Sequence, residues 1–275
     1  MVASRDIRLD DGRIVRAYDS EHGGGAGVLV WHHGSPQTGV LLDPLLEAAN
    51  ARGIRLLSYG RPGYGGSTRL PGRDVASAAH DVEQIADALG IERFAVMGAS
   101  GGGPHALACA AELPVRVTGA VSLAGIAPFT EEFDWFAGMV APGGLKAAMN
   151  GAEARAKFAE IDEFDMDSFT SADFEALSGE WASLGADAQR AGEAGSDGLV
   201  DDDVAFVSPW GIEPSAITAP VLLVQGGQDR VVPPAHADWL WQRLPKAQLW
   251  SRPDDGHVSV LRACADAMDW LRGNS

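Results

Sequence analysis

A serine flanked by glycines stands at Gly98-Ala99-Ser100-Gly101-Gly102, directly after the strand-like run 93–97 and just before the helix-forming run Pro104-His105-Ala106-Leu107-Ala108. A strand that turns at once into a helix forces its central residue into strained backbone geometry, and small neighbours give that residue room. The spacing therefore predicts a nucleophile elbow, with Gly98 and Gly102 supporting the turn and the Ser100 hydroxyl raised at a sheet edge. A phosphate-cradling loop would need G-x-G-x-x-G or a following lysine, and neither is present.

A serine hydroxyl is a poor nucleophile until a base takes its proton, so a carboxylate and a histidine must follow in the order Ser, acid, His. His257 lies in Pro253-Asp254-Asp255-Gly256-His257-Val258, between the last strand-like run and the last helix-like run. Asp229 follows the apolar run 221–224, at the carboxyl end of a strand, where doubly wound sheets place their sites. Asp254 and Asp255 are too near His257 in sequence to orient its ring from the opposite side, and Glu131 or Glu132 is the fallback acid. In Trp31-His32-His33-Gly34-Ser35-Pro36, Gly34 permits a turn that aims the Ser35 amide at a substrate carbonyl oxygen; the Gly101 amide at a helix start is the second donor of an oxyanion hole. The alternative is a plain turn in which the Ser35 hydroxyl caps the next helix. His33 reads as a residue that orders this loop by hydrogen bonding, His105 as packed core, and His22, His80 and His236 as solvated or rim groups.

The elements that must hold these residues alternate. Strand-like runs at 14–18, 28–31, 54–58, 94–97, 118–123, 221–224 and 248–250 are separated by helical patterns at 41–51 and 75–89, with a closing helix at 258–271. Alternation of this kind predicts an α/β fold around a mainly parallel sheet. Residues 129–208 differ from the rest: they carry 18 acidic and 4 basic residues, which accounts for most of the net charge of −17. Apolar stripes at Phe129, Phe133, Phe136, Val140 and at Phe174, Leu177, Trp181, Leu184 have helical spacing, so this segment reads as an acidic helical lid inserted between two strands. Its core partner is then 1–128 plus 209–275. The stripes are read as packing onto the main domain with one or two tips in the site, and the carboxylates as a solvated face.

A chain of 275 residues with 46% hydrophobic and 21% charged residues suits a globular domain that needs no staple. Its acidity argues against nucleic acid and anionic membranes as partners. Cys109 and Cys264 lie far apart, the N-terminal residues carry charge where an export signal needs an apolar run, and no stretch is long enough to span a bilayer. The expectation is a cytoplasmic protein with two buried thiols. Neither H-E-x-x-H nor a paired-cysteine motif is present, so no metal or organic cofactor is expected.

These motifs together resemble the α/β-hydrolase superfamily, in particular its lidded epoxide-hydrolase and proline-iminopeptidase-like branch. The resemblance rests on His33-Gly34-Ser35-Pro36, on Arg61-Pro62-Gly63-Tyr64-Gly65-Gly66-Ser67, on 98–102, and on the Asp229 and His257 loops. It implies an eight-stranded sheet with Ser100, Asp229 and His257 at its carboxyl edge under the lid. Serine stands where epoxide hydrolases and haloalkane dehalogenases carry aspartate, which argues against both activities. The Gly-Gly-Ser-Trp-Gly elbow of proline iminopeptidases and the methionine that follows the serine in many ring-cleavage hydrolases are also missing. The reading is a serine hydrolase acting on a small carboxylic ester or related acyl compound. An iminopeptidase-like hydrolase of amine-terminal substrates and a slow-turnover ligand receptor are the alternatives, and oligomeric state stays open.

Overall fold

The computed structural model describes residues 2–21 and 25–274. His22 lies outside the described residues. Eight strands form one sheet in the order β1-β2-β4-β3-β5-β6-β7-β8: β1 (Ala3–Arg8), β2 (Ile14–Asp19), β3 (Val28–His32), β4 (Arg55–Tyr59), β5 (Phe94–Ala99), β6 (Val117–Leu123), β7 (Val221–Gly226) and β8 (Ala247–Arg252). The β1–β2 and β2–β4 pairs are antiparallel and all later pairs are parallel. β1 escapes a search for apolar alternation because Arg5, Asp6 and Arg8 dominate it; as an edge strand it pairs only with β2.

The central strands are buried on both faces, and successive residues feed opposite cores. Val30, Leu57, Val96, Ala120 and Leu223 face a cluster built with α2 (Ser77–Ala88), α3 (Gly102–Glu112) and α9 (Ala235–Arg243). Their neighbours Leu29, Leu56, Met97, Val121 and Leu222 face a cluster built with α1 (Asp43–Ala51) and α10 (Cys264–Asn274). The closing helix is thus shorter than its pattern suggests, with residues Ser259–Ala263 forming a 3-10 turn ahead of it.

Between β6 and β7 the chain forms α4 (Gly143–Ala148), α5 (Ala152–Ala159), α6 (Ser171–Ser178), α7 (Ala182–Glu193) and α8 (Asp197–Phe206). The first aromatic stripe is not a helix: residues 129–142 are turns, bounded by Pro128 and Pro142, in which Trp135 rather than a stripe residue is fully buried. The second stripe is divided between α6 and α7 at Gly179. The acidic residues are not all solvated either. Asp173, Asp187, Asp201, Asp202 and Asp203 are buried, and several bind the rest of the fold: Asp187 accepts from the Thr38 amide and hydroxyl at 2.9 and 2.6 Å, and Asp201 pairs with Arg69 at 2.7 Å. A buried carboxylate persists only with partners; those of Asp187, Asp201, Asp202 and Asp173 include loops at the carboxyl ends of the strands, whereas Asp203 pairs with Arg155 of α5. Among the described residues no helix is long and apolar enough to cross a membrane.

Candidate active site

Ser100 follows β5 directly and adopts φ +52°, a left-handed conformation that side chains other than glycine rarely hold. Its amide donates to Leu123 O at 2.9 Å and its carbonyl accepts from the Gly103 amide at 2.9 Å, so the turn is pinned on both sides. Gly98 and Gly102 are obligatory for close approach: a side chain on Gly98 would collide with the Gly102 carbonyl, and one on Gly102 with the His32 carbonyl.

Asp229, three residues past β7, and His257, five past β8, converge on this serine. His257 Nε2 lies 3.0 Å from Ser100 Oγ and Nδ1 lies 2.8 Å from Asp229 Oδ2. Asp229 is an acceptor only, so Nδ1–H donates to it and Nε2 is left to accept from the serine hydroxyl. The second Asp229 oxygen accepts the Val231 and Val232 amides, each at 2.9 Å, which fixes the carboxylate plane. Burial presses the His257 pKa down, but the Asp229 charge and hydrogen bond, with a further contribution from Asp173, outweigh it and leave the net value raised. Glu132, the fallback acid with Glu131, is engaged elsewhere, with Trp239 Nε1 and Arg243.

The His33-Gly34-Ser35 loop lies against the elbow; a methyl group on Gly34 would sit 3.6 Å from Ser100 Cβ, and one on Gly101 3.2 Å from Ser35 Cβ. Gly101 is the N-cap of α3. His33 accepts the Arg61 amide at Nε2, 3.1 Å, and its Nδ1 donates to Gly34 O at 2.7 Å. Burial, reinforced by the Arg61 charge, holds this imidazole well below its ordinary pKa, so it stays neutral. The Ser35 hydroxyl does not cap α1, which begins eight residues later; it bonds to Asp202 and accepts from Arg61 Nη2 at 2.9 Å.

Residues 22–263 match the family described as the alpha/beta hydrolase fold. The chain belongs to the α/β-hydrolase family. Among curated relatives, the hydrolase is 30% identical to a 2-hydroxy-6-oxo-6-phenylhexa-2,4-dienoate hydrolase of Burkholderia cepacia, over 91% of this chain and 84% of the relative. It is also 30% identical to a pimeloyl-[acyl-carrier protein] methyl ester esterase of Nitrosomonas europaea, over 87% and 94%. A hydrolase from Pseudomonas aeruginosa PA01 superposes with a TM-score of 0.74 at 21% identity, covering 98% of both chains, a likeness of fold.

The part of this hydrolase's site that its sequence concealed is a buried ionic cluster under Ser35. Asp202 of α8 pairs with Arg61 Nη2 and Arg73 Nη2, both at 2.6 Å, and accepts from Tyr64 OH at 2.9 Å. Burial alone would push up the Asp202 pKa; the two guanidiniums reverse this and hold it well below the carboxylate range. The three successive acids of α8 serve three directions, Asp201 to Arg69, Asp202 to Arg61 and Arg73, Asp203 to Arg155. The one available signal was the arginine at the head of 61–67, since an arginine in a glycine-rich turn next to the site needs a carboxylate. Asp202→Ala would strand two buried cations, a loss of about 3–5 kcal/mol. In a thermal melt this is expected to lower Tm by about 10 °C; an unchanged Tm would contradict the cluster's structural role.

His105 is buried, its Nδ1 bonding Gly101 O at 2.7 Å, and His80 is exposed on α2. His236 corrects the sequence reading: it is fully buried against Phe133 and Trp135, accepts the Ala127 amide, donates to Trp135 O, and is pushed by burial down to about 4. Of the aromatics near the site, Phe169 lies parallel to His257 with centroids 6.5 Å apart and Phe206 packs against Gly101. Neither belongs to the two stripes. Phe133 and Phe136 instead pack with Trp135 and Trp239. Among the described residues no group of three or more His, Cys, Asp or Glu is arranged to hold a metal ion.

Proposed function

We propose that this protein is a serine hydrolase of carboxylic esters or related small acyl compounds, with residues 129–208 as its lid. The observation that carries the reading is the unbroken chain from Ser100 Oγ through His257 to Asp229, at 3.0 and 2.8 Å. Ser100 Oγ attacks the acyl carbon as its proton passes to His257 Nε2, and Asp229 stabilises the imidazolium. The Ser35 and Gly101 amides receive the oxyanion, each donor being worth about 3 kcal/mol in such sites. Collapse breaks the bond to the leaving group, which takes the proton from His257. Water then attacks the acyl-enzyme, gives its proton to the same nitrogen, and releases the acid while Ser100 regains its proton.

For the amine-terminal alternative the buried lid carboxylates are committed to partners within the chain, so a substrate ammonium would have to be met by one of the exposed acids such as Asp162, Glu163 or Asp165. A second reading is favoured by one observation. Arg61 and Arg73 against the single Asp202 leave a surplus positive charge buried beside Ser35, which suits a substrate carrying a carboxylate, as the dienoate of the Burkholderia relative does. A fluorophosphonate probe is expected to label the parent at Ser100 and to leave Ser100→Ala unlabelled; labelling that survives the substitution would sink the assignment. Steady-state assays on p-nitrophenyl acetate, a 2-hydroxy-6-oxo-dienoate and prolyl arylamide then choose the class. Ester turnover is expected to lead, negligible turnover of all three would point to a receptor, and a faster dienoate would shift the function to carbon–carbon bond hydrolysis.

A further inference from the structure

Asp173, the third residue of α6, is fully buried and belongs to two structures at once. Through Oδ2 it accepts from the Thr170 amide and hydroxyl at 2.8 and 2.9 Å and closes a capping box at the start of α6. Through Oδ1 it accepts the Val258 amide at 2.8 Å, the Ser259 amide at 2.8 Å and the Ser259 hydroxyl at 2.9 Å. On the other side of His257, the Gly256 amide donates to Ser259 Oγ at 2.7 Å, and any side chain on Gly256 would collide with the Asp173 carboxylate. One carboxylate from the helical segment between β6 and β7 therefore holds the His257–Val258 peptide directly and the Asp255–Gly256 peptide through the Ser259 hydroxyl. A helix cap needs only the Thr170 contacts; nothing in capping requires the three bonds to a loop 85 and 86 residues away.

We infer that Asp173 is a positioning residue, which sets the His257 loop against Ser100 and so makes the proton transfer depend on the docking of α6. The inference rests on the hydrolase reading above. The groups that face His257 are Ser100, Asp229 from the β7 loop, Asp173 from α6 and the ring of Phe169. The Asp173 charge favours the imidazolium, and its own bonds to Ser259, Thr170 and Val258 outweigh burial and keep it ionised.

Two variants separate position from charge. Asp173→Ala removes every bond to the loop and is expected to lower kcat on p-nitrophenyl acetate, and the rate of fluorophosphonate labelling, by about 100-fold with KM within about twofold, the cost of misplacing a reacting group by about 1 Å. Asp173→Asn can keep its carbonyl oxygen on Val258 and Ser259 and donate from its NH₂ to the Thr170 hydroxyl; it gives up the bond from the Thr170 amide, which belongs to the helix cap and not to the loop, so kcat should return to within about threefold of the parent. Its acid limb of labelling rate against pH should nevertheless move to lower pH, by about 1 unit or less, because a negative charge that favours the protonated ring has gone. NMR titration of the His257 ring reads the same shift without turnover. If Asp173→Ala does not fold, the limb of Asp173→Asn decides. Parental kcat in folded Asp173→Ala, or an unmoved limb and ring titration in Asp173→Asn, would overturn the inference. A parent that is not labelled at Ser100 would instead overturn the hydrolase reading, leaving the ring titration to test Asp173 alone.

Discussion

Replacing Ser100 by alanine is expected to lower kcat by about 10⁶, with the fold unchanged, because the members of a nucleophile–base pair act as a unit and loss of either removes the covalent route. Alanine retains the Cβ that already tolerates φ +52° and both backbone bonds of the turn, so Tm should move by no more than about 2–4 °C, equivalent to about 1 kcal/mol. Residual activity of about 10³–10⁴ over water should survive, from the Ser35 and Gly101 amides and from substrate binding. Steady-state rates of the parent and Ser100→Ala, freed of parent contamination by fluorophosphonate pretreatment, check the figure. Turnover within tenfold of the parent would show that the hydroxyl does not attack.

How this arrangement came to be readable differs from one residue to the next. The elbow is local: a strand, a tight turn and a helix within a dozen residues leave a composition that few other structures tolerate, and Gly98 and Gly102 are required by contacts made inside that unit or with the adjoining β3. Asp229 and His257 follow strand ends, so the sheet order alone brings their loops to the same edge as Ser100. Asp202 and Asp173 were not legible. Their environment is set by Arg61, Arg73 and the His257 loop, which lie 141, 129 and 85 positions away in sequence, and charge counting gives a carboxylate no sign that such partners await it. The acidic surplus of residues 129–208 thus has two parts, an exposed one and a buried one that fastens these helices to the loops around the site. The aromatic stripe from Phe129 failed for another reason: spacing of three and four residues also arises in successive turns, and Pro128, Gly138 and Pro142 break any helix there.

Asp229→Asn is expected to lower kcat by about 10⁴ while the protein keeps its fold. One carboxylate oxygen receives two backbone amides, Val231 and Val232, and neither can donate to an amide nitrogen. The asparagine must therefore turn its carbonyl oxygen to those amides and its NH₂ to His257 Nδ1. Faced by a donor, Nδ1 becomes the acceptor and the ring proton moves to Nε2, the atom that has to accept from Ser100 Oγ 3.0 Å away. The ring stays in place in the wrong tautomer, so the loss falls on kcat with little change in KM. The pH profile carries a second, independent sign. His257 works as a base only when neutral, and its pKa is raised because the Asp229 charge and hydrogen bond overcome burial; without that charge the pKa falls and the acid limb of kcat/KM moves to lower pH even as the plateau collapses. Stopped-time assays on p-nitrophenyl acetate across pH 5–9 read both effects. Near-parental turnover, or a limb that stays where it was, would remove Asp229 from the role of orienting acid, and Glu132 would be a poor successor because its carboxylate is already held by Trp239 and Arg243.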